Sequence, residues 1–314
     1  GLAGLGVVVA RWLVERGARH LVLMGRRAPA EAATATIREL EAQGATVVVA
    51  QGDVAEEARV QEILAAIATA GPPLRGIIHA AGVLDDGVLL QQTWERFAKV
   101  LAPKVAGAWN LHRLTQGLPL DFFVLFSSVA AVLGSPGQGN YAAANAFLDA
   151  LAHHRRALGL PALSLNWGPW GEVGMAARLT ERDQSRRGEA GVSLIPPALG
   201  VQALEHALAS DATQWTVLPV DWAGLLGRFP AGGSPALFRR IALERVAPST
   251  TSAGGELRGG MRQRLDQAPP TARPALLREY VRAQVLQVLG LDPARPPADT
   301  AGLTELGMDS LMAV

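Results

Sequence analysis

The sequence predicts an α/β protein whose core is a parallel sheet with helices on both faces. Two observations indicate this class. Short apolar runs of strand length alternate with longer amphipathic segments over the first 220 residues, and a glycine-rich stretch, GLAGLG at 1–6, opens directly into a helical pattern. Repeated strand–helix alternation is typical of a doubly wound parallel sheet. Hydrophobic residues make up 49% of the 314 residues, which is enough for a substantial core.

The individual elements follow from hydrophobic spacing and from turn residues. The predicted helices are 7–16, 31–44, 56–70, 93–115, 141–158 and 196–210, and the predicted strands are 20–25, 46–51, 75–82, 121–128, 162–168 and 214–220. Gly17 and Gly44 end the first two helices, and Pro103 is expected to bend the fourth. The opening glycine turn has no strand leading into it, so we expect a Rossmann-like doubly wound sheet without its first strand.

The chain is predicted to contain three regions. Residues 1–230 hold the α/β pattern, 231–272 are rich in Gly, Ser, Thr and Pro as in a flexible linker, and 273–314 begin a helical domain that we expect to be incomplete. The helix starting near Arg273 places six residues on one face, five of them apolar: Leu277, Tyr280, Val281, Gln284, Val285 and Val288.

Composition argues against several classes of protein. The formal net charge is +1, so neither nucleic acid nor a membrane surface is an expected partner. There is no cysteine, and the six histidines form no ligand cluster, so no metal site is expected. No apolar run reaches the length of a transmembrane helix and no signal-peptide pattern is present, which predicts a cytoplasmic protein.

The glycine turn is a candidate site for a nucleotide pyrophosphate. Gly1, Gly4 and Gly6 precede a helix at once, and such a turn lets backbone N–H groups and the helix N-terminus approach phosphate. An ordinary glycine turn is the alternative, but the strand–helix context favours the nucleotide.

Residues at two further places in the sequence indicate how a nucleotide cofactor would bind. Arg26 and Arg27 follow the predicted strand at 20–25, where arginine suits the 2′-phosphate of NADP and a carboxylate would suit NAD. Two solvated arginines are the alternative. Asp53 follows the predicted strand at 46–51 and is a candidate partner for the adenine amino group, for the cap of the next helix, or for both.

The motifs GLAGLG, GDV, HAAG, FSS and YAAAN occur in the order and spacing of the short-chain dehydrogenase/reductases. More narrowly, HAAGVLDDGVL, APKVAGAWNLH and the long segment from LFSSVAAVLG to SLNWGPW resemble the ketoreductase domain of a polyketide synthase over about 1–230. The tail ELGMDSLMAV resembles the attachment sequence of an acyl carrier protein. The resemblance implies a reductase domain, a linker and the start of a carrier domain.

The resemblance assigns the site residues. Tyr141 would donate a proton to the ketone oxygen, and Ser128 would hydrogen-bond the substrate carbonyl. Asn145 stands four residues after Tyr141, where other members of the superfamily carry lysine, and Lys104 in APKVAG would supply that charge and lower the pKa of the phenol. Asn145 would then orient Lys104 or a relay water. A loop serine, a solvated lysine and a surface asparagine are the plain alternatives.

The same resemblance implies NADPH as the cofactor. Its predicted contacts are Gly1, Gly4, Leu5, Gly6, Arg26, Arg27, Asp53, Val54, Ala80, Ala81, Gly82 and Pro169. The NWGPW stretch at 166–170 would shape the nicotinamide pocket, and packing of Trp167 in the core is an equal alternative.

Further residues bear on stereochemistry and on the carrier. Leu84, Asp85 and Asp86 match the loop of B-type ketoreductases, and the position of the A-type tryptophan holds Leu133. A solvated turn is the alternative for the two aspartates.

Ser310 in GMDSL would carry 4′-phosphopantetheine, and an N-cap serine is its alternative.

The implied activity is NADPH-dependent reduction of a carrier-bound β-ketoacyl thioester to a β-hydroxyacyl thioester. The implied partners are the other domains of the synthase and a phosphopantetheinyl transferase. The rival interpretations are a catalytically silent scaffold domain of a multienzyme and a fatty-acid 3-oxoacyl reductase.

Overall fold

The structure is a computed structural model that describes residues 1–174, 191–226, 236–238, 240–241, 265–289 and 302. Most of the predicted linker lies outside the described residues, and so does Ser310. Among the described residues, 1–174 and 194–219 form one compact unit, and 191–193 with those from 220 onward belong to a second.

The described part of the chain alternates strands and helices, as the sequence predicts. The strands are β1 His20–Gly25, β2 Thr46–Gln51, β3 Gly76–His79, β4 Phe122–Ser128, β5 Leu163–Trp167 and β6 Gln214–Val217. The helices are α1 Leu5–Glu15, α2 Glu31–Ala42, α3 Glu57–Ala70, α4 Trp94–Leu101, α5 Gly107–Thr115, α6 Ala130–Leu133, α7 Gly139–Ala157, α8 Pro197–Leu208, α9 Trp222–Leu226 and α10 Arg273–Leu289. Short 3₁₀ turns span Leu89–Gln91 and Ala236–Phe238.

All the described strand pairs are parallel. β3, β4, β5 and β6 form one sheet in that order, and β1 pairs with β2 in a separate two-stranded sheet. Parallel strands joined through helices give the α/β class that the alternation predicts.

β4 is buried along its middle five residues, and helices cover both of its faces. Phe123, Val124 and Leu125 are fully buried, as expected for a strand in the middle of a parallel sheet. On one face, the core includes residues of α1 and α8, such as Trp12 and Leu204. On the other face, it includes residues of α5 and α7. The carboxyl end of β4 is thereby held between two helical layers.

The long helix predicted over 93–115 is interrupted. A π-helical turn, Ala102–Ala106, joins α4 to α5 and contains Pro103. Proline has no backbone N–H and its ring clashes with the carbonyl of the preceding turn, so it disturbs the regular ladder of helical hydrogen bonds. The structure thus has a widened turn within a nearly continuous helical segment at the position where a bend was predicted.

Several boundaries differ from the prediction by a few residues. α7 begins at Gly139, so Tyr141 lies in its first turn and not at its start. β3 ends at His79, which leaves Ala80, Ala81 and Gly82 as irregular backbone after the strand. In α10 the predicted start at Arg273 is confirmed, and Leu277 and Val281 of the predicted apolar face are about half exposed.

None of the described helices combines the length and the apolar character needed to cross a membrane.

Candidate active site

Tyr141 and Lys104 meet beside the carboxyl end of β4. The Nζ atom of Lys104 lies 5.5 Å from the centroid of the Tyr141 ring. Only 3% of Lys104 and 8% of Tyr141 are exposed, so the alternative of a solvated lysine is wrong. A lysine ammonium is normally solvated, and burying one next to a tyrosine is the kind of arrangement that reactive sites contain.

Backbone geometry directs Lys104 inward. It lies in the π-helical turn, and its Nζ atom donates a hydrogen bond of 2.9 Å to the carbonyl of Phe126 in β4. Gly82 provides the space, because a Cβ atom there would lie 3.1 Å from Cε of Lys104. His79 braces the same turn, since its Nε2 atom is 2.9 Å from the carbonyl of Pro103.

Burial dominates the ionisation of both groups. Desolvation lowers the pKa of Lys104 to about 7, and the Asp149 carboxylate opposes that shift. Desolvation raises the pKa of Tyr141, while the polar side chains of Ser128 and Asn145 beside it oppose the rise. The sequence-based expectation of a lowered tyrosine pKa is therefore wrong for this structure, because burial outweighs the groups that stabilise the phenolate.

The Ser128 hydroxyl interacts both with the backbone and with the side chain of Tyr141. It is the last residue of β4, and its Oγ atom accepts a hydrogen bond of 3.2 Å from the N–H of Ala130. The same hydroxyl interacts with the phenol of Tyr141 and lowers its pKa. The alternative of a loop serine is thus correct in part, and it is compatible with a place in the site.

Asn145 is fully buried, so the alternative of a surface asparagine is wrong. Its Nδ2 atom donates a hydrogen bond of 2.7 Å to the backbone carbonyl of Tyr141. Its Oδ1 atom is buried and accepts no hydrogen bond from the described residues, so Asn145 does not orient Lys104 by direct contact. The relay-water alternative is left open, because a buried acceptor without a protein partner is a place where water is expected.

A buried polar network behind the tyrosine was not found from the sequence. Asn166 of β5 donates to Asp149 of α7 at 2.8 Å and approaches Ser127 Oγ at 3.0 Å. Ser127 donates in turn to the carbonyl of Asn145 at 3.1 Å. One sequence signal was available: Asp149 is the only charged residue among the apolar and small residues of YAAANAFLDALA.

The segment Leu84–Asp86 is fixed to neighbouring helices and not left as a solvated turn. Asp85 forms ion pairs with Arg96 at 2.7 Å and with Lys99 at 2.8 Å, and hydrogen bonds from Lys99 and Arg96 lower its pKa. Asp86 accepts a hydrogen bond of 2.9 Å from Gln138, just before α7. The alternative of a solvated turn for the two aspartates is wrong.

Asn140 joins that segment to Tyr141. It is fully buried, and its Nδ2 atom donates to the carbonyl of Asp85 at 2.8 Å. Its Oδ1 atom accepts the backbone N–H of Tyr141 at 2.7 Å. Asn140 was not predicted from the sequence, although an amide directly before the tyrosine is a residue type that can cap the first turn of a helix.

The opening turn is shaped for close backbone approach. Gly4 has φ 50°, in the region that favours glycine, and a Cβ atom on Gly6 would clash with the backbone of Gly1. Leu5 then starts α1. Together these features form a tight glycine turn running into a helix N-terminus, which fits a dinucleotide phosphate.

The other predicted cofactor residues lie at the carboxyl ends of the strands or just beyond them. Arg26 and Arg27 are exposed, and neither guanidinium is hydrogen-bonded or ion-paired with the described residues. Asp53 Oδ1 accepts the N–H of Ala55 at 3.0 Å, and no side chain caps α3, so Asp53 closes a turn before that helix and does not cap it. Val54, Ala80, Ala81 and Gly82 are half-buried, and Pro169 is buried.

The NWGPW stretch is part of the core. Trp167 and Trp170 are 4% and 3% exposed, and their rings are 4.9 Å apart. The alternative of core packing for Trp167 is therefore confirmed. The stretch starts within β5 and continues past its end, at the same edge of the sheet as Ser128.

Taken together, a parallel α/β fold, a glycine turn at its first helix and the cluster of Ser128, Tyr141 and Lys104 at the end of a central strand are the arrangement expected of a nucleotide-dependent reductase. A family model described as the KR domain matches residues 1–172. The chain belongs to the family of ketoreductase domains of polyketide synthases, which are oxidoreductases that bind NADPH as a family property.

Relatives and solved structures agree with the family assignment. The chain is 44% identical over its whole length to the spectinabilin polyketide synthase system protein NorB of Streptomyces orinoci, and 40% identical to a mycoketide-CoA synthase of Mycobacterium tuberculosis. It spans 14% and 8% of the lengths of these relatives. A-type ketoreductases from a modular polyketide synthase superpose with a TM-score of 0.69 at 43% identity, covering 76% of this chain and 49% of theirs.

Proposed function

We propose that this chain reduces a β-ketoacyl thioester to a β-hydroxyacyl thioester, with NADPH as the reductant. The observation that carries the proposal is the buried pair of Tyr141 and Lys104, 5.5 Å apart from ring centroid to Nζ at the carboxyl end of β4. Ligands of open α/β sheets bind at that edge, so the pair is placed where a substrate carbonyl would arrive.

Each side chain has a distinct task in this proposal. NADPH, when bound, supplies the hydride. Tyr141 donates its phenolic proton to the ketone oxygen, and Ser128 holds that oxygen with a second hydrogen bond. Lys104 stabilises the phenolate that remains on Tyr141 after transfer. With a pKa of about 7, Lys104 is near the point at which it holds or releases a proton around neutrality.

The cofactor residues of this chain support NADPH over NADH. Arg26 and Arg27 stand just beyond the end of β1 with both guanidinium groups exposed. They would bind the 2′-phosphate, since arginine forms charge-assisted hydrogen bonds with phosphate. The glycine turn and the start of α1 would hold the pyrophosphate, and Asp53, Val54, Ala80, Ala81, Gly82 and Pro169 would line the rest of the site.

The Leu84–Asp86 segment supports a B-type assignment. It is fixed to the first turn of α7 through Gln138 and Asn140, so a substrate entering beside it is held relative to Tyr141. Leu133, at the position of the A-type tryptophan, is compatible with the same assignment. The proposed product carries a D-configured hydroxyl.

The substrate is proposed to arrive on a carrier. Ser310 is the proposed attachment residue for 4′-phosphopantetheine, and residues 231–272 are the proposed flexible linker between a reductase domain at 1–230 and a carrier domain starting at 273. Other synthase domains and a phosphopantetheinyl transferase are the proposed partners, in the cytoplasm. A scaffold without activity would not require the buried pair of Tyr141 and Lys104 beside Ser128, which favours the reductase.

The test is the oxidation of NADPH with a model β-ketoacyl thioester by Tyr141→Phe. We expect turnover to fall by at least about 100-fold, in the range attributed to general acid catalysis, while NADPH still binds. Tyr280→Phe is the matched control, because Tyr280 is the other tyrosine of the chain and lies in α10. Near-normal turnover by Tyr141→Phe would exclude the proposal.

A further inference from the structure

The buried carboxylate of Asp149 has no role in the proposed chemistry so far. Asp149 lies on α7, one helical turn after Asn145 and two after Tyr141, and it is 9% exposed. Its Oδ1 atom accepts a hydrogen bond of 2.5 Å from Ser164, and its Oδ2 atom accepts one of 2.8 Å from Asn166. Both donors are neutral side chains of β5.

The charge of Asp149 therefore lacks a nearby partner. No lysine, arginine or histidine of the described residues lies within ion-pair distance of its carboxylate. A carboxylate removed from water is unfavourable unless hydrogen bonds and an opposite charge compensate it. The hydrogen bonds are present, so the opposite charge that compensates Asp149 must lie beyond ion-pair distance.

Hydrogen bonds from Asp149 and from Lys104 reach neighbouring residues of β4. Asn166 joins the carboxylate to the Oγ atom of Ser127, at 2.8 and 3.0 Å. Phe126, the residue before Ser127 in β4, accepts the hydrogen bond from Nζ of Lys104. The carboxylate and the ammonium are thus attached to two consecutive residues of one buried strand.

We propose that Asp149 is a positioning residue that keeps the Lys104 ammonium charged beside Tyr141. Its effect on turnover rests on the proposed function, but its effect on Lys104 does not. The two charges interact through protein rather than through bulk water, so their attraction is screened less than that of a surface pair.

Two other titratable groups face Lys104, and neither of them keeps its ammonium charged. His79, on β3, is buried with a pKa lowered to about 3, and charge on Lys104 contributes to lowering it. Tyr141, on α7, is neutral below its raised pKa. Asp149 is the one named group that raises the pKa of Lys104 against desolvation.

The direct test is an NMR titration of the 314-residue chain labelled with ¹³Cε-lysine. The chain contains two lysines, so Lys104 and Lys99 give one signal each. Lys99 has a side chain that is 62% exposed and serves as the internal reference. We expect Asp149→Asn to lower the pKa of Lys104 by about one unit and to leave the Lys99 titration unchanged.

Two further variants separate charge from structure. Ser164→Ala removes a hydrogen bond to Asp149 but keeps the carboxylate, and should move the pKa of Lys104 by much less than Asp149→Asn does. Asp149→Glu keeps the charge and should restore most of the wild-type value. An unchanged Lys104 titration in Asp149→Asn, or an equal shift in Ser164→Ala, would overturn the proposal. If Asp149→Asn does not fold, a wild-type Lys104 that is already neutral well below pH 7 would overturn it too, because the ammonium would then not be kept charged.

The effect of Asp149 on catalysis is measured in a separate experiment, from the pH dependence of turnover. In Asp149→Asn, the pH above which turnover declines should shift downward in step with the Lys104 titration, with turnover retained on the acidic side. A titration shift without any turnover in the wild type would refute the proposed function and leave the Asp149–Lys104 relation standing.

Discussion

Lys104 Nζ faces the ring of Tyr141 at 5.5 Å and donates its one hydrogen bond among the described residues to the carbonyl of Phe126. The ammonium therefore acts on the phenol through space, from a position set by the backbone of β4. Because the two residues belong to different helical segments, their separation depends on how both segments pack against that strand.

Replacing Lys104 by methionine should change how stability depends on pH. The folded-state pKa of Lys104, about 7, lies below its ordinary 10.5, so between these values the unfolded chain binds more protons. Stability should therefore rise with pH across this window, by at most about 1.4 kcal/mol per pH unit. Lys104→Met should abolish the rise between about pH 7.5 and 9.5, measured by denaturant unfolding, and exposed Lys99→Met should retain it. A rise that survives in Lys104→Met would contradict the assignment.

The double replacement of Arg26 and Arg27 by alanine should weaken NADPH binding selectively. A well-formed charge-assisted hydrogen bond is worth about 1.5–3 kcal/mol, so the Kd for NADPH should rise at least about tenfold while that for NADH changes little. Fluorescence titration with each cofactor measures both constants. Arg38→Ala, at an exposed position on α2, is the control. Equal losses for the two cofactors would count against 2′-phosphate recognition.

Asn140→Ala should loosen the connection between the Leu84–Asp86 segment and Tyr141. The substitution leaves the buried N–H of Tyr141 and the carbonyl of Asp85 without their partner, and we expect a loss of about 1–3 kcal/mol of stability. Turnover should fall as well. Asn140→Asp keeps the acceptor for Tyr141, so its helix start should be retained while the bond to Asp85 is lost. Wild-type stability in Asn140→Ala would refute this role.

The stereochemical prediction concerns the product. Reduction of a model β-ketoacyl thioester should give predominantly the D-configured hydroxyl, as resolved by chiral chromatography. The prediction rests on the proposed B-type assignment, and the ion pairs of Asp85 with Arg96 and Lys99 fix the segment on which that assignment depends. A predominantly L product would contradict the B-type assignment.

The carrier prediction concerns Ser310. Incubation of the full-length protein with coenzyme A and a phosphopantetheinyl transferase should add one phosphopantetheine, and Ser310→Ala should abolish the addition, as measured by intact mass. Modification that survives the substitution would remove the assignment.

Much of the fold was predictable because the spacing of apolar residues and the glycines that end helices are local properties of the chain. The start of α7 close to Tyr141 and the distortion at Pro103 both follow from such signals. The raised pKa of Tyr141 did not, because it depends on burial contributed by distant segments. The Asp149 network was also missed, since a lone aspartate in a helix gives no sign of which serine and asparagine will meet it across the sheet.

The π-helical turn at Ala102–Ala106 makes the site sensitive to chain length as well as to side-chain identity. Each residue of an α-helix advances the facing direction by about 100°, so removing one residue to restore regular α-helical winding would change the direction in which Lys104 points and turn it away from Phe126. A single-codon deletion in this turn should thus abolish activity even though every predicted site residue is still encoded. When reductases of this type are compared or recombined, the spacing between Gly82 and Lys104 is as informative as the residues themselves.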